Sequence, residues 1–146
     1  MLTTPTHRLT IYGLPAFRRV WLPFLSSRVA AGFPSPADDY IEGRIDINDL
    51  LIQNPPATFI ARVTGESMQE AGIHDGDYVV VNRAATWSDG SIVVAIIGQE
   101  FTLKRIKRIG KRIFLTPENK RFPIVEVTED SDCEVWGCVT GSFRSY

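Results

Sequence analysis

Two short stretches hold side chains that could do chemistry together. Ser67 stands in "TGESM", a turn closing a predicted strand, and Gly65 just before it permits tight geometry and close approach by another chain. A hydroxyl exposed there, beside outward-pointing backbone N–H groups, can pair a nucleophile with an oxyanion hole. A serine after Gly-Glu also serves simply as a turn residue. The nucleophile needs a base. His7 lies in an irregular N-terminal stretch, and His74 lies among acids in "GIHDGD", where a solvated turn histidine is the simpler reading.

Lysine is the other base for such a serine. In "EFTLKRIKRI", period-2 alternation puts Thr102, Lys104 and Ile106 on one face and Leu103, Arg105 and Lys107 on the other. Lys104 therefore has the less polar surroundings. From the ordinary value of ~10.4, only about one lysine in a few thousand is neutral at pH 7. Lowering that pKa to ~7 costs about 4–5 kcal/mol of ammonium stabilisation, which burial under an apolar segment can supply. Lys107, Arg108, Lys111 and Arg112 read as a solvated edge that resists aggregation, a polyanion-contacting patch being the alternative.

The elements that must position these groups divide into an arm and a body. Residues 1–38 contain Pro5, Pro15, Pro23, Pro34 and Pro36 and no sustained helical period. Within them "RVAAGFPSP" offers small side chains followed by prolines: a poor core element, but easily threaded through a cleft in extended form. With Val29, Ala30, Ala31 and Phe33 it could form the lid that desolvates Lys104, and so be the substrate as well. In "RIDINDLLIQNPP" Asp46 is a plausible N-cap for a short helical stretch over 47–52, stopped by Asn54-Pro55-Pro56. From Ala57 onward, apolar and β-branched runs alternate with turns without intervening helices. That pattern predicts a mostly β fold, antiparallel sheets or a partly open barrel, carrying an extended N-terminal arm.

Composition narrows the classes. The 146 residues suit one domain, and a net charge of −1 argues against a protein that chiefly binds bare nucleic acid. The charge is uneven: residues 1–31 carry four arginines and no acid, so the remainder carries −5. Cys133 and Cys138 are five positions apart, a separation that puts them on opposite faces of a regular strand and makes a disulfide between them unexpected. Two histidines are too few for an obvious zinc site, and no metal or cofactor is expected. Reduced thiols point to the cytoplasm. The apolar run 20–25 is short for a secretory signal and is broken by Pro23, and nothing approaches the ~18 apolar residues of a membrane span.

The stretches "AAGFPSPADDY", "RIDINDLLIQNP", "GESM", "DGDYVVV" and "EFTLKRI", in that order, resemble the UmuD/MucA family of SOS mutagenesis proteins. More distantly they are similar to the self-cleaving domain of LexA repressors. The resemblance runs in register from about Ala31 to Trp136-Gly137. It implies Ser67 as nucleophile, Lys104 as general base, the backbone N–H groups of Glu66 and Ser67 as oxyanion donors, and Ala31–Gly32 as the bond cut. Ala-Gly is the form seen in MucA and LexA, whereas UmuD has Cys-Gly; both place a small residue before glycine. The chain would then divide into an arm, 1–31, and a Ser-Lys peptidase-like body, 32–146. The resemblance further implies stimulation by a RecA filament on single-stranded DNA, a homodimeric product, and partnership with an UmuC-like translesion polymerase. A non-enzymatic β-sheet binding module and a LexA-type repressor fragment are the alternatives, the latter disfavoured because the arm is too short for a DNA-binding domain.

Overall fold

Runs of β-branched residues set the strands. The computed structural model describes residues 19–25, 29 and 41–146. His7 and the Ala31–Gly32 bond lie outside the described residues. The chain forms two units, one ending at Asp49 and the other beginning at Leu50.

In the first unit β1 (Leu22–Leu25) pairs antiparallel with β2 (Ile41–Ile45), Leu22 opposite Ile45 and Pro23 opposite Arg44. The prolines of residues 1–38 suggest an extended arm, and the structure instead pairs part of it as a strand. A two-stranded ribbon consists only of edges, and an edge is where proline is tolerated. Helix α1 (Ile47–Leu51) follows at once. Asp46 caps it as expected, its Oδ1 accepting the Asn48 N–H at 3.0 Å. Pro55–Ala57 then forms a single 3₁₀ turn.

The second unit holds β3 (Thr58–Arg62), β4 (Tyr78–Asn82), β5 (Ile92–Ile97), β6 (Glu100–Ile109), β7 (Arg112–Thr116), β8 (Val125–Val127) and β9 (Cys133–Phe143). They make one antiparallel sheet in the order β3-β4-β9-β5-β6-β7-β8. β3 and β8 stand at opposite ends of that order, so the sheet is open and the barrel alternative is not what forms. Continuous apolar runs in β4 and β5 mean burial on both faces. On one face Val79, Val81 and Val94 pack with Val63, Met68 and Ile73. On the other, Val93, Ala95, Ile106, Leu115 and Cys138 form a second cluster with Ala85 and Trp87 against it.

One register detail overturns a sequence expectation. β5 pairs Val94 with Gly137 and Ala95 with Val135, leaving Trp136 as the extra residue of a bulge. The bulge resets the alternation, so Cys138 (opposite Val93) and Cys133 (opposite Ile97) share a face and pack into the same cluster. Both thiols are nevertheless free, and burial pushes that of Cys138 up. Beside the bulge a Cβ on Gly137 would lie 2.7 Å from Val81 Cγ1 and 3.3 Å from the Asn82 carbonyl oxygen. Val81 is fully buried and β-branched, so it cannot swing aside. Gly137→Ala is expected to lower the stability of the body by about 1–3 kcal/mol, measured by urea unfolding.

The chain end closes the β3–β4 connection. Arg144 Nε and Nη2 donate to the two carboxylate oxygens of Asp77 at 2.6 and 2.8 Å, and the His74 N–H donates to Oδ2 at 2.9 Å. These bonds, Arg144's foremost, hold the Asp77 carboxyl well below the usual carboxylate range. A depressed folded pKa contributes stability above the unfolded value of ~3.9 that is lost as pH falls toward the folded one. Asp77→Asn should therefore unfold at lower urea concentration at neutral pH, and the gap to the parent should narrow as both are titrated below about pH 4.

Candidate active site

Ser67 is placed by a turn that only glycine can make. Gly65 adopts φ 91°, in the left-handed region where a side chain is strained, and reverses the chain after β3. Met68 anchors the other end in the core with 1% exposure. The turn is braced from two directions. Asp75 Oδ1 accepts the Gly65 N–H at 2.7 Å. From the β7–β8 connection, the Glu118 N–H donates to the Ser67 carbonyl at 2.8 Å and Asn119 Nδ2 to the Glu66 carbonyl at 2.9 Å. Glu118 is itself held by an ion pair with Arg105 on β6.

Half-buried Ser67 lines a cavity of about 220 Å³ whose apolar wall includes Val63, Val79 and Val94, and whose β6 side is Phe101 together with the pair Thr102 and Leu103. Those two β6 residues are also the hydrogen-bond partners of Lys104: its Nζ donates to Thr102 Oγ1 at 2.8 Å and to the Leu103 carbonyl at 3.0 Å. The lysine is 8% exposed, and burial pushes its pKa below the ordinary lysine value. Thr102 shares a face with Lys104, as the alternation requires. Ser67 thus occupies one cavity with both residues that hold the Lys104 ammonium. Lys104 itself does not line that cavity, and among the described residues it is not hydrogen-bonded to Ser67.

The other sequence candidates fall as follows. The N–H groups of Glu66 and Ser67 have no acceptor among the described residues, unlike that of Gly65. His74 stands on the β3–β4 connection with Nδ1 3.6 Å from Glu66 Oε2 and does not line the cavity. Lys107, Arg108, Lys111 and Arg112 are exposed; Arg112 pairs with Glu126 and Arg108 lies over the Trp87 ring. Sequence reasoning gave no role to Asp75, Glu118 or Asn119, which brace the serine turn. Among the described residues no cluster of His, Cys, Asp or Glu converges as a metal site, and no helix is long and apolar enough to cross a membrane.

Several known proteins are similar to this chain. Residues 23–140 match the family model described as Peptidase S24-like. The chain is 45% identical over 122 residues to protein MucA of Salmonella typhimurium, covering 83% of each. It is 42% identical over 118 residues to protein SamA of the same species, covering 81% of each. With the LexA repressor of Delftia acidovorans it shares 38% identity over 140 residues, 94% of this chain and 62% of the repressor.

Proposed function

The chain belongs to the Peptidase S24-like family, with a serine-peptidase kind of activity, and we propose that it cuts itself between Ala31 and Gly32 with Ser67 as nucleophile and Lys104 as base. The observation that supports this reading is the cavity that Ser67, half-exposed on a braced glycine turn, lines together with Thr102 and Leu103, the two residues that hold a desolvated lysine.

The chemistry follows from those groups. The arm enters the cavity in extended form, its small side chains letting the Ala31 carbonyl reach Ser67 Oγ. Covering the cavity removes water from Lys104, whose neutral form takes the Ser67 proton as Oγ attacks the carbonyl carbon. The tetrahedral oxyanion accepts hydrogen bonds from the Glu66 and Ser67 N–H groups, which have no other acceptor among the described residues. The protonated lysine returns that proton to the Gly32 nitrogen as the C–N bond breaks, leaving Ala31 esterified to Ser67. Water, deprotonated by Lys104, then releases the ester. Because the substrate is part of the chain, its effective concentration is high and a weakly activated nucleophile suffices.

The likeness to MucA and to a LexA repressor supports the wider reading that self-cleavage is a switch in the SOS response. A RecA filament on single-stranded DNA would act by shifting the population toward the docked arm, adding no catalytic group. The product, residues 32–146, would act in the cytoplasm as a homodimer joined to an UmuC-like translesion polymerase. No metal or cofactor is needed for the steps above. The test is to incubate the pure protein, alone and with RecA, ATP and single-stranded DNA, and weigh the products. Fragments ending at Ala31 and beginning at Gly32 are expected; an intact chain under all conditions would return the protein to the class of β-sheet binding modules.

A further inference from the structure

Besides the His74–Glu66 approach, the loop of residues 74–77 is joined to the serine turn and the strand before it by hydrogen bonds of two kinds. Two are backbone bonds that lace it to the end of β3: Val63 N–H to the Asp77 carbonyl at 2.7 Å, and Gly76 N–H to the Val63 carbonyl at 2.8 Å. The third comes from a side chain. Asp75 is exposed, contributes nothing to the core, and yet reaches back ten residues to accept the Gly65 N–H at 2.7 Å. That amide precedes the row of N–H groups of Glu66 and Ser67, which are without acceptors among the described residues. Gly65, at φ 91°, is the joint at which the row turns, and a glycine joint is the least restrained backbone available.

We infer that Asp75 is a positioning residue: its carboxylate pins the Gly65 amide and thereby fixes the Glu66 and Ser67 N–H groups as an oxyanion hole. This deepens the reading of Ser67 as nucleophile and rests on it. A free Gly65 N–H would leave the glycine joint able to rotate, and the two donors would have to be ordered during the reaction instead of before it. Preorganisation of that kind is where oxyanion donors have their effect. The function required of position 75 is to accept one hydrogen bond. Asparagine can do that through its amide oxygen; alanine cannot.

The experiment compares full-length parent, Asp75→Ala and Asp75→Asn chains for the rate of self-cleavage across pH, together with thermal melting and amide exchange at Gly65. The alanine variant is expected to be slower by about 10- to 100-fold with faster Gly65 exchange, an unchanged melting temperature and an unchanged pH midpoint, because Lys104 is untouched. The asparagine variant should return to within about threefold of the parent. An alanine variant that cuts at the parental rate overturns the inference while leaving the serine in place. So does equal slowing of both variants with a lowered melting temperature, which would make Asp75 merely structural. A parent chain that never cuts at Ala31–Gly32 defeats the underlying reading instead, and this inference with it.

Discussion

Ser67→Ala and Lys104→Ala should each reduce self-cleavage at Ala31–Gly32 by at least about a thousand-fold, with folding intact. For the serine the expectation follows from chemistry: alanine has no atom to form the ester, and water in its place lacks both tether and orientation. Among the described residues Ser67 is hydrogen-bonded only through its carbonyl, to the Glu118 N–H, so the substitution preserves the contact that holds the turn. For the lysine the informative control is Lys104→Arg. A guanidinium keeps the charge and the donors to Thr102 and Leu103 but cannot lose its proton in a protein. If Lys104 served only to stabilise negative charge, arginine would retain much of the rate; as a base, arginine should be as inactive as alanine. His74→Ala provides the reciprocal control and should cut at close to the parental rate. Cleavage followed by mass spectrometry over a time course reads all four. A Ser67→Ala chain that is cut normally would remove the nucleophile from the proposal.

Mixing a Ser67→Ala chain with one carrying a substituted Gly32 separates the two routes by which the arm can arrive. Cutting of the Ser67→Ala chain in the mixture means that one subunit's site can accept another's arm. Dependence of the parental rate on concentration would support the same conclusion.

How far the sequence revealed this arrangement depends on the distance over which each feature is determined. The buried triplet of valines in β4 and the apolar run of β5 announced strands because their information is local. The Asp46 cap was legible for the same reason, since donor and acceptor lie two residues apart. The face shared by Cys133 and Cys138 was not. Parity along β9 fails at Trp136, and whether an extra residue bulges depends on how β5 pairs with it. β8 covers only three residues of the apolar and β-branched run "FPIVEVTE", and Pro123, ahead of it, has no N–H to give a ladder. At the site, Ser67 and Lys104 could be named from residue type and neighbours. Their supports could not. Asn119 reaches Glu66 across 53 residues and Glu118 reaches Ser67 from the same loop, contacts that no local pattern encodes.

The rate of self-cleavage without RecA should rise by about tenfold per pH unit above neutrality and level off below pH ~10.4. The sign follows from what burial does to Lys104. Removing an ammonium from water penalises its charged form, so the folded pKa lies below the ordinary lysine value, as its low exposure brings about. The hydrogen bonds to Thr102 and Leu103 favour the ammonium and oppose that shift, and burial prevails. Below the pKa of the docked state the neutral fraction grows in proportion to hydroxide, and it saturates once that pKa is passed. Stability carries its own sign. With its folded pKa below its unfolded one, Lys104 subtracts from stability at low pH, and that penalty fades as pH rises through both values. The rising limb therefore cannot be attributed to partial unfolding driven by this group. Thr102→Val supplies the sharper check: deleting one acceptor of the ammonium should move the midpoint of the rate profile to lower pH, whereas a structural defect would lower the plateau and leave the midpoint where it was. A profile flat between pH 7 and 10, with the fold intact by circular dichroism, would remove lysine as the base.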